Sequence, residues 1–179
     1  FQIENFWEHI SIVFTKCYYN FNEEEFNDMK NGLESENGII NDIIDYIANT
    51  GTDKALDYRN SSGGNLLFRP VALTEYLSAA LELNSEENES FDYVFSKLNK
   101  IPLNIEQVPW LGLLWDGKRI INRVSRPLIQ SIILYLADEK SLDEKKYRNM
   151  VEGYAKARSV TTDQAESVLK QTKREMRNK

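Results

Sequence analysis

The stretch Ser125-Arg-Pro-Leu-Ile-Gln-Ser-Ile-Ile-Leu-Tyr-Leu136 decides the fold, because it holds the most apolar helical pattern in the chain. Ser125 followed by Pro127 is typical of a helix start, where the missing N–H of proline costs nothing. Apolar residues then recur at three- and four-residue spacing, at Leu128, Ile129, Ile132, Ile133 and Leu136. We therefore predict a helix here, at the centre of the hydrophobic core.

The same spacing predicts further helices on both sides of this stretch. They are expected over residues 3–20, 23–33, 39–47, 70–81 and 91–98, from a cap at Ser141 to about Ala157, and from residue 163 onward. Pro70 is well placed to begin one of them, Ser141-Leu-Asp-Glu144 matches a capping box, and Thr161 with Thr162 caps the last. The basic tail from Lys170 to Lys179 is expected to fray.

Residues 110–121 differ in character from the helical segments. Trp110–Trp115 and Lys118–Ile121 are interpreted as two strands joined by Asp116-Gly117, a dipeptide typical of tight hairpin turns. Leu66–Phe68 is too short to assign by period and is a candidate third strand. The predicted fold class is thus mainly α, with α+β character: a helical bundle of about seven to eight helices with a small β-hairpin or three-stranded sheet.

We expect one helical domain over residues 1–179. Because the chain does not begin with Met and an element is already in progress at Phe1, it is expected to be a fragment of a longer protein. Within it, residues 1–57 would form N-terminal helices, 58–140 a core of glycine-rich loop, helix, hairpin and helix, and 141–179 basic C-terminal helices. Acidic residues predominate before residue 100 and basic ones after it.

Composition excludes several classes of function. The apolar fraction of 41% is enough for a folded core, and no apolar run is long enough to span a bilayer, so no membrane partner is expected. Cys17 is the sole cysteine and His9 the sole histidine, and on one helix they would lie roughly 12 Å apart. We therefore expect no catalytic residues, no metal and no cofactor, and a reducing, cytoplasmic location.

A glycine-rich loop is the first candidate site. Its backbone N–H groups could converge on an oxyanion, and the flanking arginines could clamp a phosphate. The residues expected to make these contacts are Arg59, Asn60, Ser62, Gly63, Gly64, Asn65 and Arg69. Neither a phosphate-binding Gly-Lys-Ser/Thr nor a dinucleotide fingerprint is present. The alternative is a tight structural connection in which a buried Arg69 ties loop carbonyls.

A cluster of cations is the second candidate site. Lys118, Arg119, Arg123 and Arg126 lie within nine residues and could contact a phosphodiester backbone. Trp110 and Trp115 are close by in sequence and could stack on bases. The alternative is that both tryptophans fill the core while the cations decorate an exposed strand edge.

Two strings carry a family resemblance. Tyr58-Arg-Asn-Ser-Ser-Gly-Gly-Asn-Leu-Leu-Phe-Arg-Pro70 and Trp110-Leu-Gly-Leu-Leu-Trp-Asp-Gly117 resemble the C-terminal half of the DGQHR-domain proteins, which include regulators associated with DNA phosphorothioation. The Asp-Gly-Gln-His-Arg motif of the family's N-terminal half is absent from this chain. The resemblance therefore implies a helical accessory part of a DNA-associated protein rather than its catalytic centre.

Together these features lead us to expect a non-enzymatic DNA-binding or regulatory module of a prokaryotic DNA-modification or defence system. The main alternative is a protein-interaction or oligomerisation module with no nucleic-acid contact. In that case the aromatic-rich first helix, with Phe6, Trp7 and Phe14, would dock on the N-terminal half of the parent protein or on another copy.

Overall fold

The computed structural model describes residues 63–87, 90–121, 123–138 and 142–178. The helices predicted over 3–20, 23–33 and 39–47 lie outside these residues. So do the loop residues Arg59, Asn60 and Ser62.

The described residues are mainly helical, as predicted. Five α-helices have the following bounds: α1 Pro70–Glu87, α2 Phe91–Leu98, α3 Arg126–Ala137, α4 Glu144–Arg158 and α5 Thr162–Arg177. The predicted start of α1 at Pro70 and the predicted bounds of α2 are confirmed. In the described ranges there is no β-strand, only isolated β-bridges.

Helix starts are fixed by short polar side chains. Ser90 caps α2, and Thr161 forms a complete capping box with Gln164 at the start of α5. The cap of α4 is Asp143, whose side chain accepts a hydrogen bond from the backbone N–H of Lys146. The capping box predicted from Ser141 is therefore displaced by two residues. The predicted fraying is also wrong for most of the tail, since α5 continues to Arg177.

The helix α3 is central, as its sequence predicts. It packs against all four other helices, most extensively against α1. Its residues from Ile132 to Leu136 are all buried, so no side of this part of the helix faces water. A helix that is apolar on every side has to be enclosed by its neighbours, which is why α3 organises the core.

A short 3₁₀ helix, Leu66–Phe68, replaces the third strand that we considered. Its three residues are buried beside α1. Two backbone hydrogen bonds join this region to the residues after α2, from Leu66 N to Leu103 O at 2.6 Å and from Ile105 N to Gly64 O at 3.1 Å. The glycine-rich connection is thus attached to a segment some forty residues further along the chain.

The predicted hairpin is not confirmed. Backbone N–H groups of Leu113 and Leu114 both donate to the Trp110 carbonyl, so the chain coils where a strand was expected. Gly112 then turns it with φ of +79°. The turn at Asp116-Gly117 does occur, but Asp116 N donates to Arg119 O at 3.1 Å across a four-residue turn, in which only Gly117 has positive φ. A single bridge, Trp115 to Ile120, follows.

Among the described residues, no helix is both long enough and apolar enough to cross a membrane.

Candidate nucleic-acid interface

The glycine-rich connection is assembled by its own side chains. The Arg69 guanidinium donates to the Gly63 carbonyl through Nε at 3.1 Å and also through Nη2. The Asn65 side chain accepts from Leu67 N at 2.9 Å and thereby caps the 3₁₀ helix. Arg69 and Asn65 therefore hold the backbone of this connection, which is the arrangement expected from the structural alternative.

Gly63 is required by the geometry of the connection. Its φ is +99°, and a Cβ added there would lie 2.8 Å from Ile105 Cγ1 and 3.0 Å from Trp115 Cδ2. Both constraints exclude a larger residue. Gly64 also has positive φ, at +77°. The two glycines therefore allow the chain to pass close to the buried face of residues 105–115.

The two tryptophans belong to the core. Trp110 is fully buried and its Nε1 donates to the Pro102 carbonyl, and Trp115 is buried as well. An indole can stack on a base only if one of its faces is open to solvent. The suggestion that these rings stack on bases is therefore wrong.

Lys118 and Arg119 project from a well-defined turn. Asp116 Oδ1 accepts from the backbone N–H groups of both residues at 2.8 Å, and Asp116 Oδ2 accepts from Arg119 Nε at 3.2 Å. The hydrogen bonds from the Arg119 and Lys118 backbone lower the pKa of the Asp116 carboxyl. The Arg119 side chain remains 85% exposed. Both cations thus face solvent on a turn whose backbone is held in place.

The helix α4 anchors the segment that carries this turn. The Tyr154 hydroxyl donates to the Pro109 carbonyl at 2.9 Å and accepts from Arg158 Nη1 at 2.7 Å. Burial raises the pKa of Tyr154, with Arg158 opposing, so the hydroxyl stays protonated and able to donate. Arg158 also lies against Gly112, where an added Cβ would be 3.0 Å from its Nε.

Arg126 is the first residue of α3 and Arg123 lies three residues before it, and both are exposed. Arg126 acts electrostatically on Glu75 of α1, a carboxylate that is only 6% exposed. Burial raises the pKa of Glu75, and the positive charge of Arg126 partly opposes that rise. Arg126 is therefore electrostatically linked to a carboxylate of α1.

Arg123 opens onto a groove of about 660 Å³ between α3 and α4. Lys146 and Lys156 of α4 line the same groove, and sequence reasoning missed both of them. Lys146 also forms a long ion pair with Glu82 of α1 at 3.7 Å. One feature of the sequence could have identified them: Lys146, Asn149, Gly153 and Lys156 are spaced three or four residues apart, which places them along one side of the predicted helix.

A second group of cations surrounds the end of α3. Lys97 pairs with Asp138 at 2.9 Å, and Lys173, only 7% exposed, donates to the Tyr135 carbonyl and lies 4.5 Å from the centre of the Tyr135 ring. Cations at a helix C-terminus satisfy its last carbonyls and favour its dipole. These contacts give Lys97 and Lys173 a structural role, which is to stabilise the C-terminal end of α3.

Within the described ranges, no group of three or more His, Cys, Asp or Glu side chains could hold a metal ion. Comparison with known proteins gives no relative: no family model, no curated protein and no solved structure matches this chain.

Proposed function

We propose that this domain is a non-enzymatic, DNA-binding or regulatory module of a cytoplasmic, prokaryotic DNA-modification or defence-associated protein. The observation that carries the proposal is the exposure of all four clustered cations, Lys118, Arg119, Arg123 and Arg126. The resemblance of residues 58–70 and 110–117 to DGQHR-domain proteins supports the same proposal. It remains a prediction, as does a partner in the N-terminal half of a parent protein or in a second copy.

The chemistry of these groups favours contact with phosphates over reading of bases. Exposed cations attract a phosphodiester backbone whatever its sequence, whereas both tryptophans are unable to stack on bases. The four cations are not equivalent. Arg119 is paired with Asp116, and Arg126 interacts electrostatically with Glu75, whereas Lys118 and Arg123 form no ion pair with described residues. We expect Lys118 and Arg123 to contribute most to binding.

A titration of a fluorescent 20-base-pair duplex with the 179-residue chain tests this proposal. If two to four cations neutralise phosphates, the slope of log Kobs against log salt concentration should be about −2 to −4. The double variant Lys118→Ala/Arg123→Ala should bind more weakly and flatten the slope by about two. The control Lys145→Ala/Arg174→Ala removes the same charge from other exposed positions of α4 and α5 and should leave most of the slope.

Two results would contradict phosphate binding at this surface. The first is an absence of affinity at low salt, or an affinity that does not depend on salt. The second is an equal loss of affinity in the two double variants, because that would trace the effect to net charge alone.

The alternative function, a protein-interaction module, is favoured by one observation of its own. The groove beside Arg123 has an apolar floor that includes Leu128 and Met150. A phosphate backbone gains nothing from an apolar surface, whereas the apolar side chains of a protein partner do.

A further inference from the structure

The groove between α3 and α4 has the length of a short helix. Its lining positions on α4 run from Lys146 to Ala157, which corresponds to roughly 16 Å along the helix axis. On α3 the lining begins at the cap, Ser125, and extends to Ser131. The groove could therefore receive about three turns of a partner helix.

The floor of the groove is apolar and shallow. Leu128, Met150 and Ala157 contribute to it, and Gly153 brings the two helices close together. A Cβ added to Gly153 would lie 3.2 Å from Leu128 Cδ1, so α3 already occupies the space above this glycine. Leu128 remains only partly buried. The floor thus offers an apolar surface to another molecule instead of an enclosed cavity.

The rim of the groove is positively charged. Arg123, Lys146 and Lys156 line it, and none of the described residues that line it is acidic. The acidic residues of α4, Glu144 and Glu152, do not line the groove. Lys146 is partly balanced by Glu82, while Lys156 forms no ion pair with described residues. The occupant that complements this rim carries negative charge.

We propose that this groove binds an acidic amphipathic helix of a protein partner. Apolar side chains at three- and four-residue spacing would lie on Pro127, Leu128 and Ala157, and carboxylates on both flanks would meet the cationic rim. Charge complementarity supplies the argument for acidity, and the apolar floor supplies the argument for a peptide over a nucleic acid. The inference goes beyond the proposed DNA contact, since it requires neither Lys118 nor Arg119.

A designed probe tests this inference on the whole 179-residue chain. The probe is a fluorescein-labelled 16-residue helical peptide with leucines along one side and glutamates on both flanks. A second peptide has lysine in place of every glutamate. We expect the glutamate peptide to bind, with an affinity that weakens as salt rises, and the lysine peptide to bind at least about tenfold more weakly.

Two matched variants locate the binding surface. Lys156→Glu reverses a charge on the rim, whereas Lys145→Glu reverses a charge on α4 that does not line the groove. We expect Lys156→Glu to weaken the glutamate peptide about tenfold and Lys145→Glu to change its affinity by less than about twofold. Ala157→Gln adds bulk to the floor without charge and should also weaken binding. Circular dichroism checks that each variant is folded.

The inference is overturned if neither peptide binds, if both bind equally, or if the two lysine variants lose the same affinity. It is also overturned if Lys156→Glu abolishes binding of the DNA duplex while the wild-type chain ignores the glutamate peptide, because the groove would then belong to nucleic acid. Failure here is distinct from failure of the proposed function. Arg123 lies at both surfaces, so the two titrations are separated by the residues that they do not share: Lys118 for the duplex, and Lys156 with Ala157 for the peptide.

Discussion

Replacing Tyr154 by phenylalanine removes one hydroxyl from the contact between α4 and the segment that carries the cationic turn. That hydroxyl donates to the Pro109 carbonyl and accepts from Arg158. A lost hydrogen bond costs about 0.5–1.5 kcal/mol, and a buried carbonyl left without a donor costs about 1–3 kcal/mol. We expect the free energy of unfolding to fall by about 2 kcal/mol, which lowers Tm by about 4–8 °C for a domain of this size.

Urea denaturation followed by fluorescence measures this change, since Trp110 and Trp115 lie in the same segment. Tyr147→Phe is the matched control: it makes the same chemical change on the same helix, where the hydroxyl binds Glu166 at 2.8 Å in a half-exposed position. The control should cost less than Tyr154→Phe, because the Glu166 carboxylate remains accessible to water and keeps its ion pair with Lys170. A loss below about 0.5 kcal/mol for Tyr154→Phe, or equal losses for the two variants, would refute the reasoning that this hydroxyl anchors the segment.

Three further predictions concern stability, each measured by urea denaturation. Gly63→Ala should cost about 1–3 kcal/mol more than Gly117→Ala, because both have positive φ but only the first meets neighbouring atoms; equal costs would contradict this. Burial raises the pKa of Glu75, so the ionisation of this carboxyl destabilises the wild-type fold as pH rises, whereas Glu75→Gln has no such ionisation. The free energy of unfolding of Glu75→Gln relative to wild type should therefore increase from about pH 4 to about pH 7. A difference that does not change with pH would contradict this. Thr161→Ala should cost about 1 kcal/mol and Thr162→Ala much less, since only Thr161 caps α5; the reverse order would be decisive against it.

Local patterns predicted the helices well and the irregular segment poorly. The central position of α3 follows from the run of apolar residues after Gln130 and Ser131, and the start of α1 follows from Pro70. Residues 110–115 misled the interpretation because Leu113, Leu114 and Trp115 are buried in succession, whereas a half-buried strand alternates. The coil at Trp110 depends on core contacts that no short window of sequence contains.

The candidate surfaces also differ in how far a short stretch of sequence can predict them. The clustered cations at Lys118–Arg126 are adjacent in sequence and could be predicted as a group. The groove could not, because it combines Arg123 with Lys146 and Lys156, which only the packing of α3 on α4 brings together. Conversely, the structural use of Arg69 depends on how Gly63 turns its carbonyl, which the sequence does not specify.

The segment between α2 and α3 has no regular secondary structure among its described residues, yet its side chains Ile101, Ile105, Trp110 and Leu113 are buried like those of a helix. Connections of this length usually lie on the surface and accept insertions. This one should resist both insertion and protease cleavage along most of its length. The turn around Gly117 is more open, since an added Cβ there meets nothing within 4 Å, although its φ of +94° favours glycine at that one position. The tip of the cationic turn is therefore where a spectroscopic label, or an evolutionary insertion, could be accommodated without disturbing the core.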